Sequence, residues 1–281
     1  MPEIKSENLS MLPGCENLAP LKYFDSKVFQ PLDKNEQKVC NFILMLALVY
    51  NDFKDLSWAY VQMNKCGPST TPLPTPTPHV GQYAGVNLHL TKLFHALLFA
   101  FAELVKNNSD VLNHQLFSKT LEQINKENKN HWGRLVAFAK GEADRNDEEL
   151  HETSLLIRHN LAFHYHQPKF LSAGYNHFFS KKDNPTNQSA FISDGTTLEE
   201  TRFYFADAAV QGCFEQNISK EKASRLNPAL RDISRKINET LHNIIMTFIQ
   251  QRFFQLQREF PNEKDKFGFF PYQENLNDPK S

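Results

Sequence analysis

Glycine is scarce in this chain, at 10 residues in 281. Few positions can therefore take up left-handed backbone cheaply, and no sustained two-residue alternation of apolar and polar side chains is present. Both absences argue against a sheet-built protein with many tight hairpins. A charge excess is also missing. Lys+Arg number 31 and Asp+Glu 32, a net charge of −1. That balance excludes a protein coating nucleic acid by bulk electrostatics, though not a local phosphate site. Cys15, Cys40, Cys66 and Cys213 show neither C-x-x-C nor metal-like spacing. Four scattered thiols in so long a chain point to free, mostly buried cysteines in a reducing compartment. The longest apolar runs, "FILMLALVY" (42–50) and "LFHALLFAFA" (93–102), fall short of the ~20 residues that span a bilayer. "MPEIKSENLS" at the start has neither the basic nor the apolar region of a secretory leader. The expectation is a soluble, cytoplasmic protein with no membrane attachment.

What is present is helical pattern. Proline breaks helices, and none occurs between Pro31 and Pro68, Pro78 and Pro168, or Pro228 and Pro261. Five of the 15 prolines crowd into "PSTTPLPTPTP" (68–78), which reads as an extended connector. Four long segments carry apolar residues every three to four positions: about 35–64, 82–106, 147–166 and 227–260. The second shows a stripe of Val86, Leu90, Leu93, Leu97, Phe101 and Leu104. The fourth shows Leu230, Ile233, Ile237, Leu241, Ile244 and Phe248, with Asn227 as N-cap and Pro228 in the first turn. Shorter helical pieces fit 111–124, 131–140, 170–179 and 197–214, and 180–195 reads as a loop. The pattern predicts one all-α domain over 1–281, a bundle of four main helices with inserted helices and a proline-rich connector.

The chemistry concentrates in "IRHNLAFHYHQPKF" (157–170). At about 100° per residue, Leu150, Ile157 and Leu161 form an apolar line within about 40°. His164 and Asn160 fall close to that line, one turn apart, and Arg158 lies on its flank. Leu155, Leu156 and Phe163 form a second apolar surface, so the helix needs cover on two sides. An imidazole moves protons near neutral pH, a guanidinium holds phosphate, and an amide orients either. Metal-free RNA cleavage requires those residue types: a base for the 2′-hydroxyl, a cation for the phosphorane, an acid for the leaving oxygen.

The stretch "IRHNLAFHY" resembles the R-x(4–6)-H signature of the HEPN superfamily, most closely its larger bacterial forms related to abortive-infection proteins. Arg158 matches the signature arginine, His159 the polar position after it, and His164 the signature histidine. "GYNHFF" (174–179) and "ETRFYFADA" (200–208) resemble its downstream pieces. The resemblance implies an all-helical, metal-independent endoribonuclease, with no cofactor, whose site forms where the third helices of two subunits meet. It further implies a homodimer, RNA as substrate, a phage-defence or toxin setting and an antitoxin or regulatory partner. Arg158, His164, His159 and Asn160 are the catalytic candidates. Bare spacing carries none of this, since Arg145/His151 and Arg235/His242 share it; the surrounding "RHNLAFHY" does. In some HEPN toxins a tyrosine lies two residues after the histidine. Here Tyr165 follows directly and His166 takes the later position, so that tyrosine chemistry is not carried over.

Two other readings compete. A HEPN-like bundle can serve as a non-catalytic interaction or RNA-binding module. A di-iron-like metal bundle could use Glu148/His151 and Glu239/His242, both E-x-x-H, with Glu103. Against it, Glu239 points away from the apolar stripe of its helix, about 200° from Ile237. Trp58, Tyr60 and Trp132 read as packing residues, Lys181 and Lys182 as a solvated loop pair. Arg231, Arg235, Lys236, Arg252 and Arg258 read as the wet face of the fourth helix.

Overall fold

The computed structural model describes residues 19–67, 77–160, 168–180, 189–197 and 200–271. The chain is mostly helical. In order come α1 (Lys34–Cys66), α2 (Pro78–Asn107), α3 (Ser109–Leu112), α4 (Gln115–Gln123), α5 (Lys126–Lys140), α6 (Arg145–Asn160), α7 (Pro168–Phe179), α8 (Tyr204–Asn217) and α9 (Lys220–Glu259). The all-α expectation holds. Among the described residues the only sheet is a two-residue pair, Lys22–Tyr23 (β1) antiparallel to Phe270–Pro271 (β2).

Capping sets the helix starts, and it moves two expected boundaries. Pro78, assigned from sequence to the connector, opens α2: Thr77 is the N-cap, its side chain accepting from the Val80 amide. Proline at a first turn forfeits only an amide that has no helical partner. α9 begins at Lys220 rather than near Asn227, because Ser219 caps it through the Lys222 amide. Pro228 lies inside the helix, exposed, where water can serve the backbone carbonyl that lacks its usual donor. The expected piece 111–124 divides into α3 and α4, with His114 capping α4 through the Leu116 amide. α8 starts at Tyr204; the residues before it form an isolated bridge, Ser193 to Arg202. Gly141, at φ 71°, ends α5 in the left-handed region that glycine enters without penalty.

The core is continuous through α1, α2, α4, α5, α6 and α9. Phe42, Ile43, Leu46 and Phe53 of α1 meet Leu98, Phe101 and Val105 of α2 and Ile237, Leu241, Ile244 and Phe248 of α9. Phe117 of α4, Trp132 and Phe138 of α5 and Leu150 of α6 join the same cluster. The helices inserted between the second and third long segments are thus part of the core. The expected α9 stripe is sealed from Ile233 to Phe248, and Leu230 is partly buried. On α2 the buried line is rotated from the expected one, running through Leu90, His95, Leu98, Phe101 and Val105. α2 is long and apolar enough to cross a membrane by length and composition, and it supplies residues to this core. A second cluster, Val28, Ile249, Phe253, Leu256 and Phe267, ties the segment before α1 to α9 and the segment after it.

Arg252 corrects the reading that placed it on the wet face of the fourth helix. Its side chain is fully buried, donating to Glu36 Oε2 at 2.9 Å and to the carbonyls of Val28 and Gln30 at 3.0 and 2.7 Å. Those bonds fasten the segment before α1 onto α9. The Glu36–Arg252 pair and the Tyr50–His242 ring contact run α1 antiparallel to α9.

Candidate active site

The motif helix is positioned from three sides. At its start Asp147, fully buried, accepts from Arg134 of α5 at 2.5 and 2.7 Å, and Arg134 reaches Asp232 of α9 at 2.9 Å. Cations from Lys236, Arg235 and Arg134 hold the Asp232 carboxyl down at about 2, against burial. At its centre Leu150 and Ile157 are sealed, as the predicted apolar line requires. Ile157 packs with Cys213, Leu171, Val210 and Phe214, so α7 and α8 cover this part of α6.

α2 braces the turn that carries the candidate residues. His95 Nδ1 lies 2.9 Å from Ser154 Oγ, and the Ser154 hydroxyl lies 2.8 Å from the Leu150 carbonyl. With the hydroxyl proton directed to that carbonyl, the imidazole N–H donates to the hydroxyl oxygen. Burial pushes His95 down to about 4, so the ring is neutral at physiological pH. One turn further along α2, Phe99 meets the His159 ring edge-on at 5.6 Å between centroids. Two α2 side chains at i and i+4 thus reach α6 at Ser154 and at His159. The sequence reading missed both. A buried histidine looks like ordinary core, and the rotated α2 stripe hid its i,i+4 relation to Phe99.

Of the four candidates, Arg158 and His159 stand side by side on the last described turn of α6, Arg158 half-buried and His159 exposed. Asn160 ends the described helix. His164 lies outside the described residues, as do 161–166 of the predicted helix and Phe163. On the second apolar surface Leu155 is 37% exposed in the single chain.

The two E-x-x-H pairs do not converge. His151 sits edge-on to Phe138 at 5.3 Å, His242 lies by Tyr50, and Glu239 pairs with Arg235 at 3.2 Å. Glu103 is 3.9 Å from Lys106. Among the described residues no group of three or more His, Cys, Asp or Glu side chains is placed to hold a metal. In the first downstream piece, Gly174 meets Gly212 of α8 and brings α7 and α8 backbone to backbone: a Cβ on Gly212 would lie 1.9 Å from the Gly174 carbonyl oxygen. Trp132 and Tyr60 pack against Phe117 and Phe94 as read from sequence.

Compared with known proteins, the chain matches no family model, no curated protein and no solved structure.

Proposed function

We propose that the chain is a HEPN-like, metal-independent endoribonuclease, active as a homodimer in which the motif helices of two copies meet. His164 takes the proton of the RNA 2′-hydroxyl, and the freed oxygen attacks the adjacent phosphorus. The bond from phosphorus to the 5′-oxygen breaks as that oxygen is protonated by an imidazolium. Arg158 stabilises the charge that builds on the phosphorane, and His159 and Asn160 orient the scissile group. The products are a 2′,3′-cyclic phosphate and a 5′-hydroxyl.

The observation that carries this reading is the "RHNLAFHY" context, with Arg158 and His159 on a helix of an all-α frame braced by α2. The exposed Leu155 supports the dimer, since a second copy of the chain would cover it. The helical frame also suits a phage-defence or toxin-type nuclease restrained by a partner protein.

Cleavage of RNA in excess chelator, with a cyclic phosphate product and no cutting of DNA, tests the reading. His164→Ala should lower the rate about 10²–10⁴-fold with helicity and oligomeric state unchanged. Full activity in that well-folded variant would overturn the assignment. Activity lost only on chelation would return the metal bundle. RNA binding without cleavage would identify a non-catalytic module.

A further inference from the structure

Lys92 of α2 is half-buried, and among the described residues it has no hydrogen-bond or ion-pair partner. An ammonium drawn out of water without a partner loses solvation and gains nothing in exchange. Burial pushes its pKa down, and the Asp207 charge acts in the other direction. His89 lies one turn before it, exposed and, among the described residues, likewise without a hydrogen-bond or ion-pair partner, its imidazole pushed down by partial burial and by the Lys92 charge. Neighbouring charge is otherwise matched. Arg202 donates to Asp207 Oδ2 at 3.1 and 2.9 Å and to Gln82 Oε1 of α2 at 2.9 Å.

That matched pair forms a fixed wall. Gly85 lets it lie against α2, since a Cβ there would fall 1.8 Å from Arg202 Nη2 and 2.6 Å from Asp207 Oδ2. The Tyr204 hydroxyl, 3.3 Å from the Pro78 carbonyl and 2.9 Å from Ser193 Oγ, anchors the preceding loop to the start of α2. With Asp207 neutralised by Arg202, Lys92 leaves the cluster positive, and protonation of His89 adds to it.

Gln82, Gly85, His89, Lys92, Ala96 and Phe99 share one face of α2, by helical spacing. The same face therefore runs from Lys92 to the ring that meets His159. Seven residues separate Lys92 from Phe99, about 10 Å of helix rise, a distance that a short stretch of nucleic-acid backbone spans.

We propose that the α2 face carrying His89 and Lys92, walled by the Arg202–Asp207 pair, holds a backbone phosphate of single-stranded RNA leading to the Arg158–His159 turn. The identity of this ligand rests on the ribonuclease reading. A single strand fits because in-line attack by a 2′-oxygen needs a backbone free to leave duplex geometry.

The test uses the full chain and a fluorescent 2′-O-methyl RNA decamer, which cannot be cleaved because its nucleophile is blocked. Lys92→Met keeps the packed stem and removes the charge, and Lys92→Arg keeps the charge. Lys92→Met should weaken binding about fivefold at about 0.1 M salt and lower the slope of log affinity against log salt by about 0.7. Lys92→Arg should bind like the natural protein. Equal affinity and slope in Lys92→Met, with its circular dichroism unchanged, would overturn the site, as would a natural protein that does not bind the decamer. Should Lys92→Met misfold, Lys92→Gln supplies the same comparison. The two readings fail separately. RNA cleavage together with Lys92-independent binding removes this site and leaves the nuclease. Lys92-dependent binding without any cleavage removes the nuclease and leaves the site.

Discussion

His95 and Ser154 meet across the α2–α6 interface, ring nitrogen to hydroxyl at 2.9 Å, with both side chains buried. This contact makes one core histidine both a brace for the motif helix and a source of pH sensitivity. The ring is neutral because burial lowers its pKa from 6.5 to about 4.

The sign of that sensitivity follows from linkage. An unfolded imidazole takes up a proton near pH 6.5, whereas the folded one resists until about pH 4. The stabilisation from keeping His95 neutral is present above pH 6.5 and is lost as pH falls toward 4. Between pH 7 and pH 5 the loss should be about 2 kcal/mol. Urea unfolding at the two pH values measures it, and His95→Leu should flatten the difference. An unchanged difference in that variant would assign the acid sensitivity to other groups.

Phe99 should act on His159 as a positioning residue. Phe99→Leu removes the edge-on ring contact at 5.6 Å while leaving an apolar side chain. The carbon-bound ring protons of His159 should shift in an NMR spectrum as the aromatic neighbour disappears. RNA cleavage should fall chiefly in kcat, with KM little changed. Unmoved His159 resonances would show that the ring contact is not maintained in solution.

Two glycines give opposite outcomes for the same substitution. Gly212→Ala would drive its methyl into the Gly174 carbonyl, separating α7 from α8 at a cost of about 1–3 kcal/mol or more. Gly133→Ala, in α5, meets nothing within 4 Å and should stabilise by about 0.5–1 kcal/mol through helix propensity. Thermal melts of the two variants should move in opposite directions. A Gly212→Ala protein as stable as the natural one would show that α7 and α8 do not approach so closely.

Removing Arg252 should rank among the most damaging single changes. Arg252→Ala leaves Glu36 buried and the Val28 and Gln30 carbonyls without their donor, at about 3–5 kcal/mol. Glu36→Gln, which keeps an acceptor oxygen for the guanidinium, should cost less. Denaturant titrations of both variants check the order, and equal stabilities would contradict the clasp.

Periodicity alone was enough to determine that the chain is helical and which face of α9 is sealed. Ile233, Ile237, Leu241, Ile244 and Phe248 repeat at helical spacing, and burial of such a stripe needs no knowledge of its partner. The same holds for the Leu150–Ile157 line, and so for the placement of Arg158 on its flank. Ambiguous residues needed the tertiary structure. Pro78 suits a connector and a first helical turn equally, and the Thr77 cap decided between them. Arg252 reads as solvated on any helical wheel, because its partners come from a segment more than two hundred residues away in sequence. His95 and Phe99 acquire a role only when α2 turns them toward Ser154 and His159. Lys92 is unusual only because the packed chain removes much of its water while, among the described residues, no hydrogen bond or ion pair replaces it. A linear pattern records how apolar a face is; which polar groups meet across an interface, and which are left without a partner, is set by the docking of distant helices.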